Sequence, residues 1–248
     1  MNDVPSSETA PTPYSQPAAT GPPPEEPTPA WGPRRVLGGL AVLLALVVVE
    51  AGIVSAFDPD IESLAATLVL QAALAATLVG VAFAVARPGG GVAAPAELGL
   101  RRPLHPAIKA SAIAYFAYIG CALVIAALIQ PEQEDVTRDL GADEGVLGSI
   151  AAGLLIIGAA PITEEIFFRG FMFAGLRRGT PFAVAALVSA GIWGVFHYTG
   201  ADTWGVVLQL TVFGVALAWL YERTGSLWPP IAVHALNNAL AFAILMSS

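Results

Sequence analysis

The sequence is poor in charged residues and almost free of cysteine. Only 12% of its 248 residues are charged, about half the share found in an average soluble domain. Cys121 is the single cysteine, so the chain cannot form a disulfide within itself. At the same time 56% of the residues are hydrophobic and the mean hydropathy is +0.69. This composition excludes a soluble globular enzyme and a disulfide-stabilised scaffold, and it indicates a polytopic membrane protein.

Positive charge is particularly scarce. The chain has 11 Lys and Arg residues against 19 Asp and Glu residues, which gives a net charge of −8. A chain with this balance does not attract a phosphate backbone, so we expect no nucleic-acid partner. The lipid bilayer is the partner that the composition favours.

Residues 1–33 form a region of their own. They hold 10 of the 20 prolines, four acidic residues and no Lys or Arg. Such a segment buries too little apolar surface to offset the entropy of ordering it, so we predict a disordered tail. It does not resemble a signal peptide, because it lacks a basic start and the first apolar run begins only after Arg34 and Arg35.

Seven apolar runs follow, each close to the length of about 20 residues that crosses the hydrocarbon layer. They are Val36–Phe57, Ile61–Ala86, Ala107–Ile129, a run beginning near Val146, Pro181–His197, Trp204–Tyr221 and Trp228–Met246. We therefore predict an all-α fold, a polytopic transmembrane helix bundle of about seven to eight spans. Three spans lie within residues 34–144, and four lie within residues 145–248.

The loop charges predict an orientation. If the N-terminus is cytoplasmic, ten of the eleven basic residues fall on the cytoplasmic side, as positive charge does in membrane proteins. Only Arg138, in the acidic loop Glu132–Glu144, falls outside. We expect a multi-pass protein of the cell membrane with a cytoplasmic N-terminus and with Trp31, Trp204 and Trp228 as interfacial anchors.

The last hundred residues contain ionisable side chains inside apolar runs. Because such groups are costly in a membrane, they mark functional sites by default. They are Glu164, Glu165, Arg169, His197 and His234, and the amides of Asn237 and Asn238 lie near them. Glu50, in the first span, has no basic residue near it in the sequence and stays unexplained.

Helix geometry separates the two adjacent glutamates. Glu165 and Arg169 are four residues apart and share a face, so we predict a structural ion pair. Glu164 lies about 100° around the helix among apolar neighbours. A carboxyl group in such surroundings can exchange a proton near neutral pH, which makes Glu164 the chemical group. One buried ion network that includes Glu164, Glu165 and Arg169 is the alternative.

The histidines and asparagines complete a catalytic set. His234 and Asn238 are also four residues apart, and Asn237 is a competing partner. Imidazole supplies acid or base catalysis, and an amide can donate a hydrogen bond to an oxyanion. Glu164, His197, His234 and Asn238 can therefore activate a water and stabilise a tetrahedral intermediate. We interpret Trp193 and Phe196, near His197, as packing residues.

Glu164, His197 and His234 do not lie at the same depth in the membrane if their helices are straight and perpendicular to it. At 1.5 Å per residue, Glu164 and His197 lie about 20 and 24 Å from the cytoplasmic ends of their helices. His234 lies only about 9 Å beyond Trp228. Convergence requires tilted helices, a fourth span broken at Pro161, or a deep start to the last span.

Three motifs resemble those of the CPBP family of intramembrane proteases, which includes type II CAAX prenyl endopeptidases and bacteriocin-processing proteins. Residues 164–169 match its EExxxR motif, His197 lies where the family has FxxxH, and residues 234–238 match HxxxN. The motifs occur in the family's order, and the resemblance covers roughly residues 145–245. It implies that the four spans of residues 145–248 form a four-helix catalytic core. One position departs from the pattern, because residue 193 is Trp where the family has Phe.

The resemblance implies hydrolysis of peptide bonds in membrane-embedded or lipid-linked peptides. Carried over from the family, Glu164 and His197 activate water, and His234 and Asn238 form the oxyanion site. The family was formerly regarded as metalloproteases, and Glu164, His197 and His234 would be the ligands of a zinc ion. We expect no metal and no other cofactor, because the sequence has no HExxH pairing and Asn is a poor zinc ligand.

Two other functions fit parts of the sequence. A non-catalytic membrane scaffold or bacteriocin self-immunity protein of the same family would not need the intact four-residue set. A transporter that uses the ionisable groups as a proton relay would be expected to contain internal repeats with broken helices, and no repeat is visible in the sequence.

Overall fold

The computed structural model describes residues 30–57, 64–87, 89–131, 137, 140–142 and 145–247. Most of these residues lie in seven apolar helices. The helices are α1 Pro33–Phe57, α2 Leu64–Ala86, α3 Ala107–Ile129, α4 Val146–Arg177, α5 Phe182–Val195, α6 Trp204–Thr224 and α7 Trp228–Leu245. Most of the predicted tail (1–29), the start of the second predicted span (61–63) and most of the loop Glu132–Glu144 lie outside the described residues.

The predicted fold class is confirmed. Six of the helices are long and apolar enough to cross a membrane. The seventh, α5, has 14 residues and is about 21 Å long, which is shorter than the hydrocarbon layer of about 30 Å. The third predicted span matches α3 at both ends, whereas the fifth was predicted too long because α5 ends two residues before His197.

The outer surface of the bundle is apolar. Large aliphatic side chains such as Ile108, Leu128 and Val146 are 87%, 78% and 79% exposed. In water this exposure would be unfavourable, whereas lipid chains solvate such side chains well. The exposed aliphatic surface therefore faces the bilayer.

Small residues allow the inner helices to approach closely. A Cβ atom on Gly214 of α6 would lie 2.7 Å from the Cβ of Ala190 on α5, and one on Gly194 would lie 2.7 Å from Thr211 Oγ1. Membrane helices associate through such close packing because lipid supplies no hydrophobic force between them. The contact between α5 and α6 therefore requires glycine at both positions.

The long helix α4 continues through Pro161 and contains two π-helical stretches. These stretches are Leu154–Ala159 and Glu165–Phe173. Pro161 has no N–H to donate, and widened turns accommodate such an interruption without breaking the helix. Every side chain from Glu165 to Phe173 is buried. Of the three explanations for convergence, a break at Pro161 is therefore not observed.

The last helix starts deep in the protein. Thr224, Ser226 and Leu227, just before α7, are fully buried. Residues 99–104 cover this connection: Leu227 N donates to Gly99 O at 2.8 Å, and Leu104 N donates to Thr224 O at 2.8 Å. Because α7 begins beneath this cover, His234 lies at greater depth than its distance from Trp228 suggests.

The end of the predicted tail packs on the bundle. Trp31 is 1% exposed, its Nε1 donates to the carbonyl of Phe171 at 2.8 Å, and its ring stacks on Phe171. Trp204 and Trp228, in contrast, are 57% and 52% exposed. The interface assignment of Trp31 was therefore wrong, because its indole is enclosed against α4 instead of facing headgroups.

Candidate active site

The two adjacent glutamates of α4 have different environments. Glu165 is fully buried, and its Oε1 is 2.9 Å from Arg169 Nη1 and 3.0 Å from His234 Nδ1. The side chain of Glu164 is 18% exposed and lines a cavity between α2 and α4. The four-residue spacing predicted the contact of Glu165 with Arg169, and His234, 69 residues away, is a second partner of Glu165.

Arg169 is enclosed on all sides. Its side chain is 0% exposed, and its guanidinium lies 4.5 Å from the centre of the Trp193 ring. A Cβ atom on Gly214 would lie 2.8 Å from Arg169 Nη2, so α6 leaves room for the guanidinium only because residue 214 is glycine. Among the described residues, Arg169 Nε and Nη2 and Glu165 Oε2 have no hydrogen-bond partner.

Trp193 connects the parts of the site. Its Nε1 donates to Glu164 Oε2 at 2.6 Å, and its ring meets those of His197 and His234 edge to face, with centres 5.3 and 5.2 Å apart. The interpretation of Trp193 as a packing residue alone was incomplete. The sequence signal that could have identified it is an indole N–H, a donor that needs a partner when it is buried.

His234 lies between the two glutamates. Its Nδ1 faces Glu165, and its Nε2 is 4.0 Å from Glu164 Oε2. The ring also packs edge-on against Phe213. Because a carboxylate paired with Arg169 accepts hydrogen bonds, His234 Nδ1 carries the proton of this contact, and the ring is held with Nε2 directed at Glu164.

His197 lies just beyond the end of α5 and is exposed. Its Nδ1 is 2.9 Å from the carbonyl of Trp193. A carbonyl only accepts, so Nδ1 donates and Nε2 is left as the basic nitrogen of the neutral ring. Within the described chain His197 makes no hydrogen bond to Glu164, and Trp193 lies between the two histidines.

Asn238 is on the same face of α7 as His234, one turn further on. Its Nδ2 donates to the carbonyl of Ile156 at 2.9 Å, in the first π-helical stretch of α4. The predicted oxyanion donor therefore has a backbone partner. The side chain of the competing Asn237 makes no hydrogen bond within the described part of the chain.

The cavity beside Glu164 has a volume of about 330 Å³. Its walls are mainly apolar, with Leu74 and Leu78 from α2 and Ile156 and Ala160 from α4. Sites of a few hundred Å³ with apolar walls and few polar groups are typical of ligand pockets. Glu164 is the charged residue that this cavity reaches.

The residues do not form a metal site. Within the residues that the structure describes, no three His, Cys, Asp or Glu side chains come together as metal ligands. The alternative zinc set of Glu164, His197 and His234 does not fit the structure, because Trp193 separates the two imidazoles. A metalloprotease function is not supported.

Glu50 in α1 lies outside this site and has a hydrogen-bond partner on α2. Thr77 Oγ1 of α2 donates to Glu50 Oε1 at 2.5 Å. This contact joins two neighbouring spans, and it explains how an isolated carboxyl group can be accommodated in α1.

The part of the chain that contains these residues is similar to a known family. Residues 146–240 match the family described as "Type II CAAX prenyl endopeptidase Rce1-like". The similarity to this family that the three motifs predicted is therefore confirmed for α4 to α7. No solved structure matches the chain.

Two proteins of Bacillus subtilis (strain 168) are similar to the chain. The protein named "Putative membrane peptidase YdiL" is 38% identical over 99 residues, which are 39% of this chain and 38% of the relative. The one named "Uncharacterized protein YyaK" is 26% identical over 219 residues, 82% of this chain and 71% of the relative. The match therefore covers well under half the length of the putative membrane peptidase.

Proposed function

We propose that this chain, whose residues 146–240 match the Rce1-like endopeptidases, hydrolyses peptide bonds of membrane-embedded or lipid-linked peptides. The observation that carries the proposal is the position of Glu164. Its carboxylate reaches an apolar cavity between two spans, accepts a hydrogen bond from Trp193, and lies 4.0 Å from His234 Nε2. A carboxylate and an imidazole so placed can activate a water.

Glu164 is the general base. Its Oε2 accepts from Trp193 and faces His234, whereas Oε1 has no hydrogen-bond partner among the described residues. Oε1 is therefore the atom that takes the proton from water as the water oxygen bonds to the peptide carbonyl carbon. The basic Nε2 of His197 is the second acceptor for this water.

His234 and Asn238 stabilise the oxyanion. In its protonated form, His234 donates through Nε2, while Glu165 fixes the ring through Nδ1. Asn238 adds its amide donor once that amide turns from the Ile156 carbonyl. When the C–N bond breaks, the proton held by Glu164 moves to the leaving amine, so the base is regenerated.

The test is cleavage of a membrane peptide by purified protein in detergent or lipid. Glu164→Gln keeps the shape and the acceptor for Trp193 but removes the base, so cleavage should fall by at least about 100-fold. Glu50→Gln is the matched control, because it removes an intramembrane carboxyl group away from the site and should leave cleavage unchanged. Full activity of Glu164→Gln would refute the glutamate mechanism.

The substrate can be sought in cells. Membrane peptides from cells that express the wild type are compared with those from cells that express Glu164→Gln. Peptides that accumulate uncut only in the variant are substrates of the proposed activity. Identical peptide profiles would instead favour a non-catalytic role for the chain.

A further inference from the structure

The ends of three helices form a second cavity, which the proposed protease site does not use. It lies where α3 and α5 begin and α6 ends, and its volume is about 770 Å³, within the range of ligand pockets. Lys109 and Arg223 line it, together with His105, Trp219 and Phe182. We propose that this cavity binds the headgroup of an anionic phospholipid.

The charge of the cavity favours an anion. Lys109 and Arg223 are exposed, and neither makes an ion pair or a hydrogen bond within the described chain. Glu222 also lines the cavity, but its Oε1 is 2.8 Å from Nε of Arg177, which offsets its charge. Two cations therefore face the cavity without a countercharge, and Lys109 lies in the first turn of α3, where the helix dipole also attracts anions.

The position and the walls of the cavity distinguish a lipid from a free phosphate. The cavity lies at the level where α3 and α5 begin and α6 ends, and the ends of membrane-spanning helices lie near the lipid headgroups. The apolar walls of the cavity are Ile113 and Trp219, each one turn further from the helix end than the cation on the same helix, and Phe182 at the start of α5. A ligand that is anionic at one end and apolar at the other fits this arrangement, as in other basic pockets between membrane helices.

The test measures lipids retained by the full-length protein. Protein in detergent micelles is titrated with phosphatidylglycerol, which is anionic, or phosphatidylcholine, which is not, and bound lipid is counted by native mass spectrometry. We expect tighter binding of phosphatidylglycerol, and Lys109→Gln with Arg223→Gln should weaken it on the order of 30-fold. The double variant Arg34→Gln with Arg102→Gln removes the same charge outside the cavity and should bind like the wild type.

Three results would overturn the proposal. The first is equal binding of the two lipids. The second is equal loss of binding in both double variants, which would indicate a general effect of surface charge. The third is displacement of the lipid by inorganic phosphate at equal concentration, which would indicate a site for free anions. Proteolysis is not measured, so these outcomes are independent of the proposed protease activity.

Discussion

Replacing Arg169 should destabilise the protein more than replacing any exposed arginine. Its guanidinium and the Glu165 carboxylate are 2.9 Å apart and both 0% exposed. Arg169→Met keeps an unbranched side chain against Trp193 but leaves Glu165 buried with only His234 beside it. Breaking a buried pair in this way costs about 3–5 kcal/mol. The half-exposed pair of Arg177 and Glu222 provides the control, because Arg177→Met should cost less than about 1 kcal/mol.

A second substitution separates the charge from the packing. Glu165→Gln in the Arg169→Met background removes the stranded charge and keeps an acceptor for His234 Nδ1. The double variant should therefore regain most of the lost stability. A remainder of about 1–2 kcal/mol should persist, because the cation over the Trp193 face is gone.

The free energy of unfolding is measured by titrating SDS into mixed micelles and following helix loss by circular dichroism. Purified wild type, the two single Arg→Met variants and the double variant are compared at one lipid composition. If Arg169→Met unfolds at the same SDS fraction as the wild type, the pair does not stabilise the bundle. If the double variant is less stable than Arg169→Met, the cost does not arise from the uncompensated charge of Glu165.

Three further predictions concern topology and catalysis. Reporter fusions after Ala142 and after Gly179 should locate the first outside and the second in the cytoplasm, and a reporter active outside the cell at Gly179 would refute the orientation. His234→Ala and Asn238→Ala should each lower cleavage about 100- to 1000-fold, as for oxyanion donors. If Asn238→Ala cleaves at the wild-type rate, the Asn238 amide does not stabilise the oxyanion and only binds the Ile156 carbonyl. Chelators should leave cleavage unchanged, and a loss that zinc restores would require a metal mechanism.

Local spacing predicted the parts of the site that lie within one helix. Glu165 and Arg169 are four residues apart, and their contact follows from helix geometry. The contact of His234 with Glu165 joins residues 69 positions apart, so it depends on how α7 packs against α4. Likewise, the Trp193 hydrogen bond to Glu164 links α5 to α4, and neither contact can be read from a period in the sequence.

Hydrophobicity predicted the helices because each must be long and apolar to lie in lipid. Hydrophobicity did not predict how deep in the bundle α7 begins. The buried connection of Thr224, Ser226 and Leu227 depends on hydrogen bonds to residues 99–104, and this long-range pairing has no local signature. The π-helical stretch Glu165–Phe173 is also absent from the hydrophobic pattern, since nine residues are too few for a change of helical period to show.

Trp31 attaches the N-terminal end of the described chain to α4, the helix that carries both glutamates. Its indole donates to the Phe171 carbonyl, in the same π-helical stretch as Glu165, and it lies where a Cβ atom on Gly175 would be. A change at Trp31 therefore acts on α4 across 140 residues of sequence. Removal of the indole would open a gap of its own size against α4.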